Sequence, residues 1–126
     1  MNYSIGEFSK LINISIYTLI YYEKNNLISP KRDERNGRRI YNEKDISWIN
    51  FIKRLKDTKM SIKDIQRYSY LRNIGQSTLN QRLELLENHK ENLEMEIKSL
   101  NDNLEKLKHK IQYYKNELNK FEQGNR

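Results

Sequence analysis

From about Thr78 onward, apolar residues return every four and three positions in strict alternation. They are Leu79, Leu83, Leu86, Leu93, Ile97, Leu100, Leu104, Leu107, Ile111, Tyr114, Leu118 and Phe121. The series has one polar member, Lys90, and the residues between are mostly Glu, Lys, Asn and Gln. A repeat of 3.5 residues lays one narrow apolar seam along a helix, which is the signature of a coiled coil. The pattern predicts about six heptads, or roughly 60 Å of helix at about 1.5 Å per residue. Such a seam is not stable in water by itself, so it demands a partner, most economically a second copy of the chain. The heptads leave the relative direction of the two strands open, and Lys90 is placed to set register or orientation.

Upstream the apolar spacing is helical but broken into short runs. Ile5, Phe8, Leu11 and Ile12 form one run, Ile16, Leu19 and Ile20 a second, and Ile46, Ile49, Phe51, Ile52 and Leu55 a third with a broad face. Start signals frame these runs and one more: Ser4 before Glu7, Ser15, Asn42 before Asp45, and Ser61 before Asp64. Each fits a side-chain oxygen accepting from the first-turn amides, three of them with a carboxylate three residues on. Only Ile12-Asn13-Ile14 separates the first two helices, and helix, tight turn, helix is the helix-turn-helix unit. After the second helix, read to about Lys24, Ile28-Ser29-Pro30 stops helix formation. The stretch from Lys31 to Tyr41 then carries Asn36-Gly37, a strong hairpin signal because both residues tolerate positive φ, with five basic residues around it. A basic hairpin beside a helix-turn-helix is a wing. The pattern therefore predicts a mainly α chain: a winged helix-turn-helix domain over residues 1–72, then a long dimerising coiled-coil helix and short tail over residues 73–126.

The charge distribution sharpens this division. Of the formal net charge of +7, all lies in residues 1–72, which hold fifteen Lys/Arg against eight Asp/Glu; residues 73–126 hold nine of each. A basic head and a neutral tail are the footprint of a polyanion-binding domain attached to something with another task. There is no cysteine, which excludes disulfides, thiolate metal sites and thiol redox sensing. His89 and His109 have no second ligand at useful spacing, so neither a metal nor a cofactor is expected. No Ser-His-Asp order, phosphate loop or nucleophile context occurs, so no catalytic residue is assigned and an enzyme is not expected. No apolar run approaches the roughly 20 residues of a membrane span and no signal pattern opens the chain, which predicts a cytoplasmic protein with no membrane partner.

Three N-terminal stretches, Tyr3-Ser-Ile-Gly-Glu-Phe-Ser-Lys10, Ser15-Ile-Tyr-Thr-Leu-Ile-Tyr-Tyr-Glu23 and Asn36-Gly-Arg-Arg-Ile-Tyr41, resemble the signatures of the MerR family of transcription regulators. Residues 51–65 resemble its third and fourth helices, and Leu71-Arg72, Gly75, Thr78, Arg82, Leu85-Leu86, His89 and Lys110-Ile111 are similar to its short branch that includes YyaN, YraB and the aldehyde-responsive AdhR type. The resemblance spans nearly the whole chain. It implies a homodimer held by an antiparallel pairing of the long helices. It also implies binding to double-stranded promoter DNA between the −35 and −10 elements, where the dimer distorts an over-long spacer so that RNA polymerase, an indirect partner, can engage both. Such work on DNA shape draws part of its specificity from deformability, and a two-fold dimer predicts a pseudo-palindromic operator.

The start of the second helix is the part expected to enter the major groove, so Ser15, Tyr17 and Thr18 are candidate DNA contacts. The resemblance adds Tyr21 and Tyr22, one reaching the DNA backbone and the other packing inward. Arg38 and Arg39 on the wing are candidate phosphate contacts, and Tyr41 either supports the wing or bonds to DNA. The chain departs from the family at three such points: Ile20 stands where an Arg is usual, Gly37-Arg38-Arg39 replaces Gly-Tyr-Arg, and Lys59 replaces a Gly and offers another backbone contact. Arg54 stands where the aldehyde-sensing relatives carry Cys, so the inducer class does not transfer and any small-molecule inducer is unknown. Were one sensed, Tyr68, Tyr70, Tyr113, Tyr114 and Phe121 are the aromatics left to meet it across a dimer. The alternative reading is a DNA-bending architectural or recombination accessory protein, and a third is an adaptor whose coiled coil does the work. The long seam speaks against the former and the basic head against the latter.

Overall fold

A computed structural model of the chain describes residues 1–124. Helices α1 (Ile5–Ile12) and α2 (Ile16–Lys24) are followed by strands β1 (Lys31–Arg32) and β2 (Arg39–Ile40), then α3 (Glu43–Asp57), α4 (Ile62–Ile74), a 3-10 turn over Gln76–Thr78, and α5 (Leu79–Gly124). Ser4 and Asn42 form full capping boxes with Glu7 and Asp45, while Ser15 and Ser61 cap α2 and α4. These caps satisfy first-turn amides that have no partner inside a helix. Asn13 ends α1 in the left-handed region at φ 55° and turns the chain directly into α2, a conformation that Asn tolerates better than most residues.

The head, residues up to Leu86, has one core drawn from α1–α4, the segments around Leu27 and Tyr41, and the first turns of α5. Phe8, Leu19, Leu27, Ile49, Ile52 and Ile65 are fully buried, and Tyr41 lies with them, its ring stacked on Phe8 at 4.4 Å between centroids. Leu11 and Ile16 of the apolar runs are exposed and Ile20 is half-buried outside the core, because the helix-turn-helix buries only the inner face of each short helix. Trp48 takes a place that the apolar spacing of α3 did not assign to it. It is buried, and its indole Nε1 donates to the Leu27 carbonyl oxygen at 2.8 Å.

The wing forms, but not as a two-residue turn. β1 and β2 pair Lys31 with Ile40 and Arg32 with Arg39, and the loop between them is closed by Asp33 N–H donating to the Arg38 carbonyl and Gly37 N–H donating to the Asp33 carbonyl. Gly37 has φ 70°, whereas Asn36 keeps a negative φ and uses its side-chain oxygen to accept from Arg38 N–H. A longer loop with one left-handed residue needs positive φ only at the glycine. A bridge between Tyr3 and Tyr41, with amide-to-carbonyl bonds of 2.7 and 2.9 Å, ties the segment before α1 to the wing.

The boundary between the two parts falls later than the composition shift suggests. One compact unit runs from Met1 to Leu86 and the second begins at Glu87. Residues 73–86 belong to the head because Thr78 Oγ1 donates to the Leu71 carbonyl at 2.6 Å, Arg82 donates to Thr78 Oγ1 and the Gly75 carbonyl, and Leu85 and Leu86 pack against the core. Beyond them α5 continues with no buried residue, its seam residues Ile97, Leu100, Leu104, Leu107 and Ile111 all exposed. No helix among the described residues is long and apolar enough to cross a membrane.

Candidate nucleic-acid interface

The first turn of α2 is the exposed edge of the helix-turn-helix. Ser15 Oγ accepts from Thr18 N–H at 3.1 Å and donates to Thr18 Oγ1 at 2.8 Å. The Ser15 proton is thus committed to holding the turn, and Thr18 keeps a hydroxyl donor for an acceptor outside the chain. Tyr17 is 80% exposed, a large flat side chain with a phenolic donor turned to solvent. One turn further, Tyr21 is exposed while Tyr22 is buried in the core. Helical spacing separates the two: adjacent residues face about 100° apart, so only one of the tyrosine pair can look outward.

The far end of α2 is fixed by the helices behind it. Gln66 donates to the Asn25 carbonyl at 2.8 Å, and Trp48 and Ser69 both donate to the Leu27 carbonyl. Lys53 Nζ reaches the Ile12 carbonyl in the turn before α2 at 3.3 Å, and the Lys56 ammonium lies over the Tyr22 ring at 4.9 Å. These lysines place positive charge around the second helix, and they were not singled out from the sequence because nothing local in it relates residue 53 to residue 12.

Glu23 is the other residue that sequence reasoning passed over. Its carboxylate accepts two bonds from Arg39, Nε to Oε1 at 2.9 Å and Nη2 to Oε2 at 3.1 Å, and a third from Arg32 at 3.0 Å. The hydrogen bond from Arg39 holds the Glu23 carboxyl below the usual carboxylate range, and the same bond pushes the Arg39 pKa up. A bidentate pair of this kind fixes angle as well as distance, so Glu23 clamps the wing onto the second helix. The structure therefore divides the two wing arginines that the sequence left equivalent. Arg39 is spent largely on orientation, whereas Arg38 is exposed with no acidic partner among the described residues.

Of the two readings open for Tyr41, its burial matches support of the wing, and Tyr22 is likewise the inward member of the tyrosine pair. The Tyr41 ring is 1% exposed, burial pushes its pKa up to about 12, and its hydroxyl has no hydrogen-bond partner among the described residues. A side chain sealed in this way supports the wing from beneath and cannot reach a phosphate. Lys59 adopts φ 65° at the turn after α3, the left-handed conformation that a glycine would take without strain, and it is exposed. Of the candidate contacts, Tyr17, Tyr21, Arg38 and Lys59 are exposed and Thr18 is half-buried, while exposed Ser15 is engaged in holding the turn. Among the described residues no group of three His, Asp or Glu side chains is placed to hold a metal ion.

Residues 3–70 match the model of the MerR HTH family regulatory protein. Over 114 residues the chain is 35% identical to an uncharacterised HTH-type transcriptional regulator of Haemophilus influenzae, covering 90% of this chain and 84% of that one. It is equally 35% identical, over 124 residues, to the HTH-type transcriptional regulator YyaN of Bacillus subtilis, with 89% and 90% covered. Among solved structures, that of HiNmlR, a MerR family regulator lacking the sensor domain and bound to promoter DNA, superposes with a TM-score of 0.74 at 37% identity, covering 91% of each chain.

Proposed function

This chain belongs to the MerR family of helix-turn-helix transcriptional regulators, and from that premise we propose that it works as a homodimer that binds and distorts a promoter spacer. The observation that carries this reading is the pairing of an outward-facing first turn of α2 with a wing locked to the same helix by Glu23. Tyr17 and Thr18 meet the major groove, and Tyr21, Arg38 and Lys59 meet phosphates on either side. The likeness to a relative held on promoter DNA supports it. In this reading the chain has no catalytic step of its own and acts in the cytoplasm, where RNA polymerase responds to the altered DNA.

The dimer is made by α5 and its strands run antiparallel, which the charges on either side of the seam support. Taking Leu79 as position d of the heptad, Lys90 is at position a, and a parallel in-register pair sets it against its own copy. The same arrangement opposes Lys110 to Lys115 and Glu117 to Glu122 across the seam, each a like-charge pair at the g and e positions. Antiparallel pairing with a against d removes all three conflicts. It sets Lys90 against Leu107 or Tyr114, depending on which of two registers is taken, and neither register opposes Lys to Lys or Glu to Glu.

Selection of bound DNA from a random pool, followed by footprinting of the selected sequence, tests the reading. The expected result is a pseudo-palindrome with enhanced cleavage at its centre, lying over a promoter spacer longer than polymerase accepts. Absence of enrichment at moderate salt, where a basic dimer retains phosphate affinity, would overturn sequence-specific recognition. Binding in head-to-tail arrays without a palindrome would favour the architectural alternative.

A further inference from the structure

The surface that α2 turns outward is apolar. Ile16 and Ile20, one turn apart on the same face, stand beside the parallel row of Tyr17 and Tyr21. Ile16 is 43% exposed and Ile20 half-buried, and among the described residues neither joins the core nor packs against it. Burial therefore does not explain them. Helix formation does not either, because a β-branched side chain loses rotamer freedom in a helix, where Ala, Lys or Glu costs less.

What the same surface lacks is equally informative. From Ser15 to Tyr22 there is no Arg, Lys, Asn, Gln, Asp or Glu. Base pairs in the major groove are told apart chiefly by side chains of those types: Arg or Lys on guanine, Asn or Gln on adenine, Asp or Glu on the cytosine amino group. The charged residues of α2 come later in the helix. Glu23 is already bonded to Arg32 and Arg39, and Lys24 lies about 12 Å beyond Ile16 along the axis at about 1.5 Å per residue. The hydroxyls of Tyr17 and Thr18 both donate and accept, so they discriminate weakly between bases. One base feature remains that an apolar side chain can read, the 5-methyl group of thymine. A stiff branched side chain meets it with little entropy left to lose, on a helix held from behind by Gln66, Trp48 and Ser69.

We propose that Ile16, supported by Ile20, selects thymine in each operator half-site by packing against its 5-methyl group. The proposal rests on α2 entering the major groove and goes beyond it, because it names the base that is read and the side chain that reads it. Recognition then depends on a methyl group that no phosphate contact senses.

The test uses the full chain and the operator recovered by selection from a random pool. Each thymine is replaced singly by deoxyuridine, which removes the 5-methyl group and keeps every hydrogen-bonding edge. At one thymine in each half-site, binding of the unaltered protein is expected to weaken about fourfold, the worth of one buried methyl group, and about 15-fold when both half-sites are changed. Ile16→Ala, at an exposed position outside the core, is expected to show no loss on the same replacement, while Ile16→Val keeps most of it. Thermal melts check that both variants are folded. If uracil is neutral at every position, the proposal is overturned and sequence-specific recognition stands. If uracil costs Ile16→Ala as much as it costs the unaltered protein, the methyl group is sensed elsewhere and the assignment to Ile16 is overturned. If no sequence is enriched at all, both fall.

Discussion

The head and the far part of α5 solve the problem of apolar side chains in opposite ways. Within the head, fifteen apolar residues are buried among elements of the same chain, and the polar atoms at its turns are answered by Trp48, Gln66, Ser69 and Thr78. From Glu87 onward α5 buries nothing, although its seam is as regularly apolar as any core. The head draws its stability from intramolecular packing and, in the proposed dimer, the helix draws its own from mass action, so the two are expected to differ in what can unfold them. One responds to cavities whatever the protein concentration, and the other responds to concentration and to charge placed on the seam.

The strongest way to break this contrast is Leu100→Asp, which puts a carboxylate near the middle of the seam in either antiparallel register. Sedimentation should show loss of the dimer, and operator affinity should fall by about 100-fold or more as the second half-site ceases to be tethered. The head should still melt cooperatively, and a head that unfolds together with the dimer would show that the two parts are not separable. Next in size is Ile49→Ala in the fully buried centre of α3, expected to cost about 2–4 kcal/mol in urea denaturation at every protein concentration. Ile97→Ala on the seam should instead shift a midpoint that moves with concentration.

A smaller effect comes from Glu23→Gln, which releases Arg32 and Arg39 from their shared carboxylate. Non-specific DNA binding should strengthen several-fold with a steeper salt dependence, while preference for the operator declines because the wing loses its fixed angle. The clamp also has a pH signature. The folded-state pKa of Glu23 is lowered, so its stabilisation is complete above the ordinary glutamate value of about 4.3 and is lost as pH falls through the lowered value. Thermal melts from pH 6 down to about pH 3 should show a slope that Glu23→Gln flattens, worth under about 1 kcal/mol for so accessible a pair. Smallest is Lys59→Gly. Relief of the left-handed backbone outweighs the added freedom of the unfolded chain by about 0.5 kcal/mol, so the melting point should rise slightly. The salt slope of DNA binding should fall by about one if Lys59 meets a phosphate.

These predictions follow the line between what the sequence shows and what it hides. Periodic and local signals were readable: the seam from Leu79 to Phe121, the boxes at Ser4 and Asn42, and the stop at Ile28-Ser29-Pro30 all act within a few residues. Residues joined across long separations were not. Glu23 meets Arg39 sixteen residues on, and Trp48 meets Leu27 across twenty-one, and no spacing rule announces either bond. Tyr41 was readable only as an alternative between packing and contact, because tyrosine has the chemistry for both and only the closure of Phe8 over its ring decides. Arg38 and Arg39 looked alike for the same reason, until the third dimension supplied a carboxylate to one of them.

Trp48 is the chain's single tryptophan, and it sits at a junction. One edge of its indole is bonded to the carbonyl of Leu27, just past the end of α2, while its ring lies beneath Arg72. The molecule thus carries an intrinsic fluorophore where the end of α2 is anchored. A shift in its emission on titration with operator DNA is therefore the expected sign that binding strains this anchor, and it can be followed in real time on unlabelled, unmodified protein.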